Sequence, residues 1–130
     1  MYKIGLIGES SGNGHPFSWQ AIFNGYNQNT IEKCGYPVIS EYLSKQSWTK
    51  DHVKGFRITH LWTDNPSRTE FISSTSKYCN PYINIEQLIN EVDAIIVARD
   101  DYYPNEYIFN KVLPLGKPIL FDKQISYSFE

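Results

Sequence analysis

The stretch Lys3-Ile4-Gly5-Leu6-Ile7-Gly8-Glu9-Ser10-Ser11-Gly12-Asn13-Gly14 decides the fold. Its first five residues are a short apolar run of strand type, and the glycines behind it mark a sharp turn. Residues 17–26 then carry Trp19, Ile22, Phe23 and Tyr26 at the spacing of one helix face. Strand, glycine turn and helix in that order are the setting of a phosphate-binding turn. A helix N-terminus offers unpaired N–H groups and a positive dipole end, and glycine lets a pyrophosphate come close to the backbone. The spacing here is G-x-x-x-G-x-G rather than G-x-G-x-x-G; counted from Gly8, Ser10 and Asn13 occupy the second and third glycine places. Glu9 sets a carboxylate beside the pyrophosphate position unless it points away. The alternative is a strand-to-helix turn that holds no ligand. No Lys-Ser/Thr pair follows, so a P-loop is excluded. Residues 8–12 also spell G-x-S-x-G, the nucleophile elbow, but the later histidines, His52 and His60, do not sit at a late strand end as a hydrolase requires.

Working outward, the apolar runs at Phe56–Trp62, residues 94–98 and residues 118–121 read as further strands, with a short edge strand at 82–84. Helices are expected at 67–77, Ile85–Glu91 and 104–113, with Pro104 in a first turn. Alternating strands and helices imply right-handed βαβ units. The expected fold class is α/β, a Rossmann-type, doubly wound, mainly parallel sheet with helices on both faces. Residues 27–55 are long for a loop and read as an insertion, with one helical turn around 41–47. Within it Tyr36, Val38, Ile39, Tyr42, Leu43 and Trp48 are expected to be buried. The 130 residues are one domain by size.

A formal net charge of −2 leaves no electrostatic footprint for nucleic acid. No apolar run reaches 18 residues, so no membrane span is expected. The N-terminal run is too short for a signal peptide, which points to the cytoplasm. Cys34 and Cys79 have no metal-like spacing and are expected to be free thiols.

Three further stretches are distinctive: residues 15–19 (His-Pro-Phe-Ser-Trp), 93–101 (Asp-Ala-Ile-Ile-Val-Ala-Arg-Asp-Asp) and 116–123 (Gly-Lys-Pro-Ile-Leu-Phe-Asp-Lys). Together with the glycine turn they resemble the N-terminal domain of the glucose–fructose oxidoreductase / inositol dehydrogenase (Gfo/Idh/MocA) family, over residues 1 to about 125. The resemblance implies an NAD- or NADP-dependent oxidoreductase acting on a sugar-like or cyclitol hydroxyl by hydride transfer. It places the cofactor pyrophosphate on Gly8, Ser10, Gly12, Asn13, Gly14 and His15. It puts Thr63 at the ribose position, with Asp64 one place later and Arg68 near enough to accept a 2′-phosphate. Ala98, Arg99 and Asp100 would line the nicotinamide side of the crevice. Asn105 stands where the family often has a histidine. Lys123 matches the family lysine that binds the substrate hydroxyl and assists its proton transfer. Gln124 replaces the proline that follows. The family continues into a larger α/β substrate domain, which this chain, ending at Glu130, lacks; it is expected to be a truncated, degenerate or partner-dependent piece. No metal site is expected.

Individual residues also have plain structural readings. His15 can face the crevice or simply open a helix. Asp100 and Asp101 do not form a dyad, because chain neighbours point apart; one of them is expected to cap the helix near Pro104, and Arg99 to pair with one of them. Tyr102 and Tyr103 can stack on a nicotinamide or cover the sheet. His60 is expected to pack in its strand and His52 to be solvated. The rival to the oxidoreductase is a stand-alone nucleotide-binding or interaction module, whose open sheet end would favour a homo-oligomer.

Overall fold

The computed structural model describes residues 1–126, apart from the side chains of residues 48, 49, 102 and 103. The expectations for Trp48, Tyr102 and Tyr103 therefore lie outside the described residues. Among the described residues five strands, β1 (Tyr2–Ile7), β2 (Phe56–Trp62), β3 (Asn80–Pro81), β4 (Ala94–Val97) and β5 (Ile119–Phe121), lie in the order β3-β2-β1-β4-β5, with every pairing parallel. This is the expected α/β fold class. The order reverses between β1 and β4, so the crevice beyond their carboxyl ends is the topological switch point where such sheets take ligands.

Alternation along the strands divides the core. Ile4 and Leu6 of β1 and Ile96 of β4 face one layer with Phe17 and Ala21 of α1 (His15–Asn24) and Ile72 of α5 (Pro66–Ser74). Ile7, Ile95 and Val97 face the other, against Leu88 and Ile89 of α6 (Ile85–Glu91) and Ile108 and Val112 of α7 (Tyr102–Val112). Strands buried on both faces must read as continuous apolar runs, as β1 and β4 do.

The insertion is more helical than expected. It forms α2 (Gln28–Ile31), α3 (Pro37–Ser44) and α4 (Trp48–Asp51) instead of one turn. The Asn27 side chain caps α2 by accepting from Asn29 N–H, and Pro37 opens α3. Ile31 and Leu43 are buried, and Tyr36 and Ile39 half-buried. Val38 and Tyr42, expected inside, are 77% and 47% exposed. They stand four residues apart on one helix stripe, while Ile39 and Leu43 form the neighbouring stripe that meets the core.

The edge strand lies two residues earlier than expected. Tyr82 N–H still bonds the Leu61 carbonyl at 2.8 Å, but Asn84 already caps α6 through Gln87 N–H, which pulls the chain off the sheet. His60 is buried as expected, and its Nε2 lies 3.3 Å from Glu91. Burial lowers its pKa from the ordinary histidine value, more than the Glu91 carboxylate raises it. Both cysteines are free thiols, and burial pushes the Cys79 thiol up to about 12.

Candidate nucleotide site at the carboxyl edge

The glycine turn leaves β1 at the switch point and delivers the chain into α1. Gly8 N–H donates to the Trp62 carbonyl at 3.0 Å, and Ala98 N–H to the Ile7 carbonyl at 2.8 Å, so the ends of β1, β2 and β4 are held level. A side chain at Gly8 would stand 2.6 Å from Pro16 Cγ, and one at Gly14 2.5 Å from Ile39 Cδ1 and 2.8 Å from Tyr36 Cγ. Close packing thus fixes both glycines. Gly12 is different: its φ of 79° is left-handed and nothing stands within 4 Å of a Cβ there. The turn is therefore open at Gly12 and closed at its two ends.

Asn13 is 5% exposed. Its Oδ1 accepts from His15 N–H at 2.9 Å, while its buried Nδ2 has no partner among the described residues. A buried amide donor without an acceptor is costly unless a ligand or water serves it. Ser10 is buried and bridges to β4: its hydroxyl donates to the Asp100 carboxylate, and Asp100 N–H donates to Ser10 Oγ at 3.1 Å. His15 Nδ1 contacts the Asp122 carboxylate beyond β5. These two contacts sew the glycine turn to the ends of the strands beside it.

Glu9 does point away from the turn. Arg68 of α5 grips it with two parallel bonds, Nε to Oε2 at 2.6 Å and Nη2 to Oε1 at 3.0 Å. The hydrogen bond to Glu9 raises the Arg68 pKa further above its ordinary value. The guanidinium also lies 5.7 Å from the Phe17 ring centre and 5.5 Å from that of Phe71. Tyr36, from the insertion, sits against Gly14; burial, then the Glu9 charge, raises its pKa.

At the end of β2, Thr63 is buried and occupied: its hydroxyl donates to the Asn65 carbonyl at 2.8 Å. Asp64 is 61% exposed at its side chain and touches Arg99 Nη2 at 3.1 Å. Arg99 is 3% exposed and also binds Asp101 with two bonds, 2.8 and 2.6 Å. Burial pulls the Arg99 pKa down, but the Asp101 and Asp64 carboxylates outweigh it and hold it above the ordinary value. The Arg99 hydrogen bond holds the Asp101 carboxyl below the usual range. Asp101 occupies the N-cap position of α7 without a side-chain capping bond, because Arg99 takes its carboxylate. Asn105 is fully buried and joins β4 to the segment after β5, donating to the Arg99 carbonyl at 3.0 Å and the Gln124 carbonyl at 3.3 Å.

The structure thus brings Gly8, Ser10, Gly12, Asn13, Gly14, His15, Thr63, Asp64, Arg68, Ala98, Arg99 and Asp100 to one edge of the sheet. Ala98 is buried beneath it. Lys123 is exposed just past β5, with its side chain in no hydrogen bond among the described residues. Sequence reading missed the roles of Asp122 and Tyr36. The signal for Asp122 was its place beside Lys123 at a strand end; Tyr36 was marked for burial in the insertion but not for a place against the glycine turn. Among the described residues no group of three or more His, Cys, Asp or Glu side chains is placed to hold a metal ion, and no helix is long and apolar enough to cross a membrane.

No protein-family model matches the chain, and no curated protein does. Two solved structures share its fold. One is UDP-N-acetylglucosamine 3-dehydrogenase GnnA from Acidithiobacillus ferrooxidans, with a TM-score of 0.60 and 11% identity, covering 98% of this chain and 31% of that one. The other is the dehydrogenase MviM from Clostridium difficile, with a TM-score of 0.57 and 22% identity, covering 98% of this chain and 32% of that one. The chain spans about a third of the length of each. It has the α/β fold found over that third of both dehydrogenases.

Proposed function

We propose that this chain is the nucleotide-binding portion of a Gfo/Idh/MocA-type dehydrogenase, and that its ligand is NAD rather than NADP. The observation that carries the reading is the glycine turn itself, where the open, left-handed Gly12 is followed by Asn13, whose buried Nδ2 has no hydrogen-bond partner among the described residues. A pyrophosphate supplies the acceptor that this donor lacks. The backbone at Gly12, Asn13 and Gly14 would hold it, with Glu9 neutralised by Arg68.

The end of β2 supports NAD. Asp64 touches Arg99 through one oxygen but keeps a largely exposed carboxylate suited to ribose hydroxyls, whereas Arg68, the cation that a 2′-phosphate would need, is held by Glu9 through two bonds. When bound, the nicotinamide supplies hydride donation or acceptance. Asp100, exposed after β4, would line the crevice beside it, with Ala98 and Arg99 buried beneath. Lys123, exposed past β5, would bind the substrate hydroxyl and move its proton. A sugar-like substrate is supported by the fold shared with a UDP-N-acetylglucosamine 3-dehydrogenase.

A second reading, a partner-dependent module without catalysis of its own, draws on the number of crevice groups already paired within the chain: Glu9, Ser10, His15 and Asp100. Calorimetric titration of the chain with NADH and NADPH separates the two. Saturable NADH binding, weaker NADPH binding, and loss of both in Gly12→Val are the results expected. No binding at millimolar concentration by a folded chain would leave the module reading.

A further inference from the structure

A pocket of about 430 Å³ opens at the end of the sheet opposite the glycine turn, where the strands begin. Lys54 and Arg57, at the entry to β2, and Lys77 and Tyr78, ahead of β3, line it together with His52 and Phe23; no Asp or Glu is among its lining residues. The chain has three arginines. Arg68 and Arg99 are locked to carboxylates, whereas Arg57 has no ion pair among the described residues and lies over the Tyr78 ring, 3.9 Å from the centroid. The side chains of Lys54 and Lys77 form no hydrogen bond or ion pair among the described residues. Three cations thus converge on one concavity of a protein whose net charge is −2.

The ordinary use of cations at this edge is to serve the carbonyl ends of helices. Lys117 does so for α6, donating to the Ile89 and Asn90 carbonyls, but around this pocket other groups do that work. Gly25 N–H donates to the Ala21 carbonyl of α1 and Thr75 Oγ1 to the Ile72 carbonyl of α5. Tyr78 adds an independent sign. Its φ of 67° is left-handed, a conformation that a bulky residue adopts only where its surroundings enforce it, and such residues gather at binding sites.

We infer that this pocket binds a small phosphate monoester, its phosphate on Lys54, Arg57 and Lys77 and its apolar body against Tyr78 and Phe23. The volume lies within the range of small-molecule sites and exceeds the needs of a bare phosphate ion. This site is separate from the glycine turn and does not depend on the nucleotide reading.

The test is a backbone-amide NMR titration of the full chain with phenyl phosphate, with inorganic phosphate and phenol as the two halves of that probe. Saturable shifts at Lys54, Arg57, Lys77 and Tyr78 are expected, strongest with phenyl phosphate. Arg57→Gln/Lys77→Gln should weaken binding by roughly tenfold or more, the scale of losing charge-assisted hydrogen bonds. Exposed Lys77→Gln alone should weaken it less, and serves if the double variant does not fold. Unsaturable shifts, equal affinity in the variants, or shifts confined to Gly12 and Asn13 would overturn the inference, whatever NADH does at the glycine turn.

Discussion

The two ends of this sheet handle charge in opposite ways. At the carboxyl edge, Glu9, Asp64 and Asp101 are each answered by an arginine, and Asp122 by His15. At the amino edge, Lys54, Arg57 and Lys77 face one concavity without a carboxylate among them. The first arrangement fixes loops that must stay level; the second leaves charge available. Strand ends at a switch point are held by long-range ion pairs because their loops have no ladder of their own. The entries to β2 and β3 are held by other groups, Val53 N–H on the Ile22 carbonyl, Tyr2 N–H on the Gly55 carbonyl and the Asn24 amide on the Lys77 carbonyl, so the cations are not needed for the fold.

The sharpest way to break this comparison is to remove one arginine from each end. Arg99→Met should destabilise the protein by about 2 to 3 kcal/mol, below the full loss for a buried pair because Asp64 and Asp101 keep contact with water. Arg57→Met should cost less than about 1 kcal/mol, the scale of an exposed cation–aromatic contact. Urea unfolding midpoints compare them directly, and equal losses would erase the distinction between the edges.

A smaller effect is expected from Arg68→Gln. Freed of its partner, Glu9 returns a negative charge to the glycine turn. Stability should fall by about 1 kcal/mol, and NADH binding should weaken several-fold, measured by fluorescence titration. Glu9→Gln added to Arg68→Gln should restore the binding but not the stability.

The smallest effects are those of pH. Burial lowers the His60 pKa in the folded protein, so the unfolded chain takes up a proton that the folded one resists. The stability this contributes is present above pH 6.5 and is lost as pH falls from there through the folded value. Asp101 follows in a lower window: its carboxyl is held below 3.8, so the stability from the Arg99 pair is present above that value and is lost as pH falls through the folded one. Thermal midpoints across this range should show two successive declines. His60→Gln should remove the first and leave the second.

Much of the fold was legible because β1, β2 and β4 are apolar runs next to helices whose stripes repeat at 3.6 residues. β3 was misplaced because two residues ending in Pro81 carry no strand pattern, and only pairing with His60 and Leu61 makes them a strand. The insertion was under-read because its helices are short and start from local signals, the Asn27 cap and Pro37, rather than from a long amphipathic repeat. The site divides in the same manner. Gly8, Gly12 and Gly14 announce a turn in the sequence alone. The grip of Arg68 on Glu9 and of Ser10 on Asp100 joins residues 59 and 90 positions apart, and only the strand order brings them together.

Nucleotide binding at the carboxyl edge is read out residue by residue in a backbone-amide NMR titration with NADH. Saturable shifts grouped at Gly12, Asn13, Asp64 and Ala98, with Arg57 and Tyr78 undisturbed, are the predicted result. Absence of saturable shifts in a folded chain, or shifts grouped at Arg57 and Tyr78 instead, would contradict it.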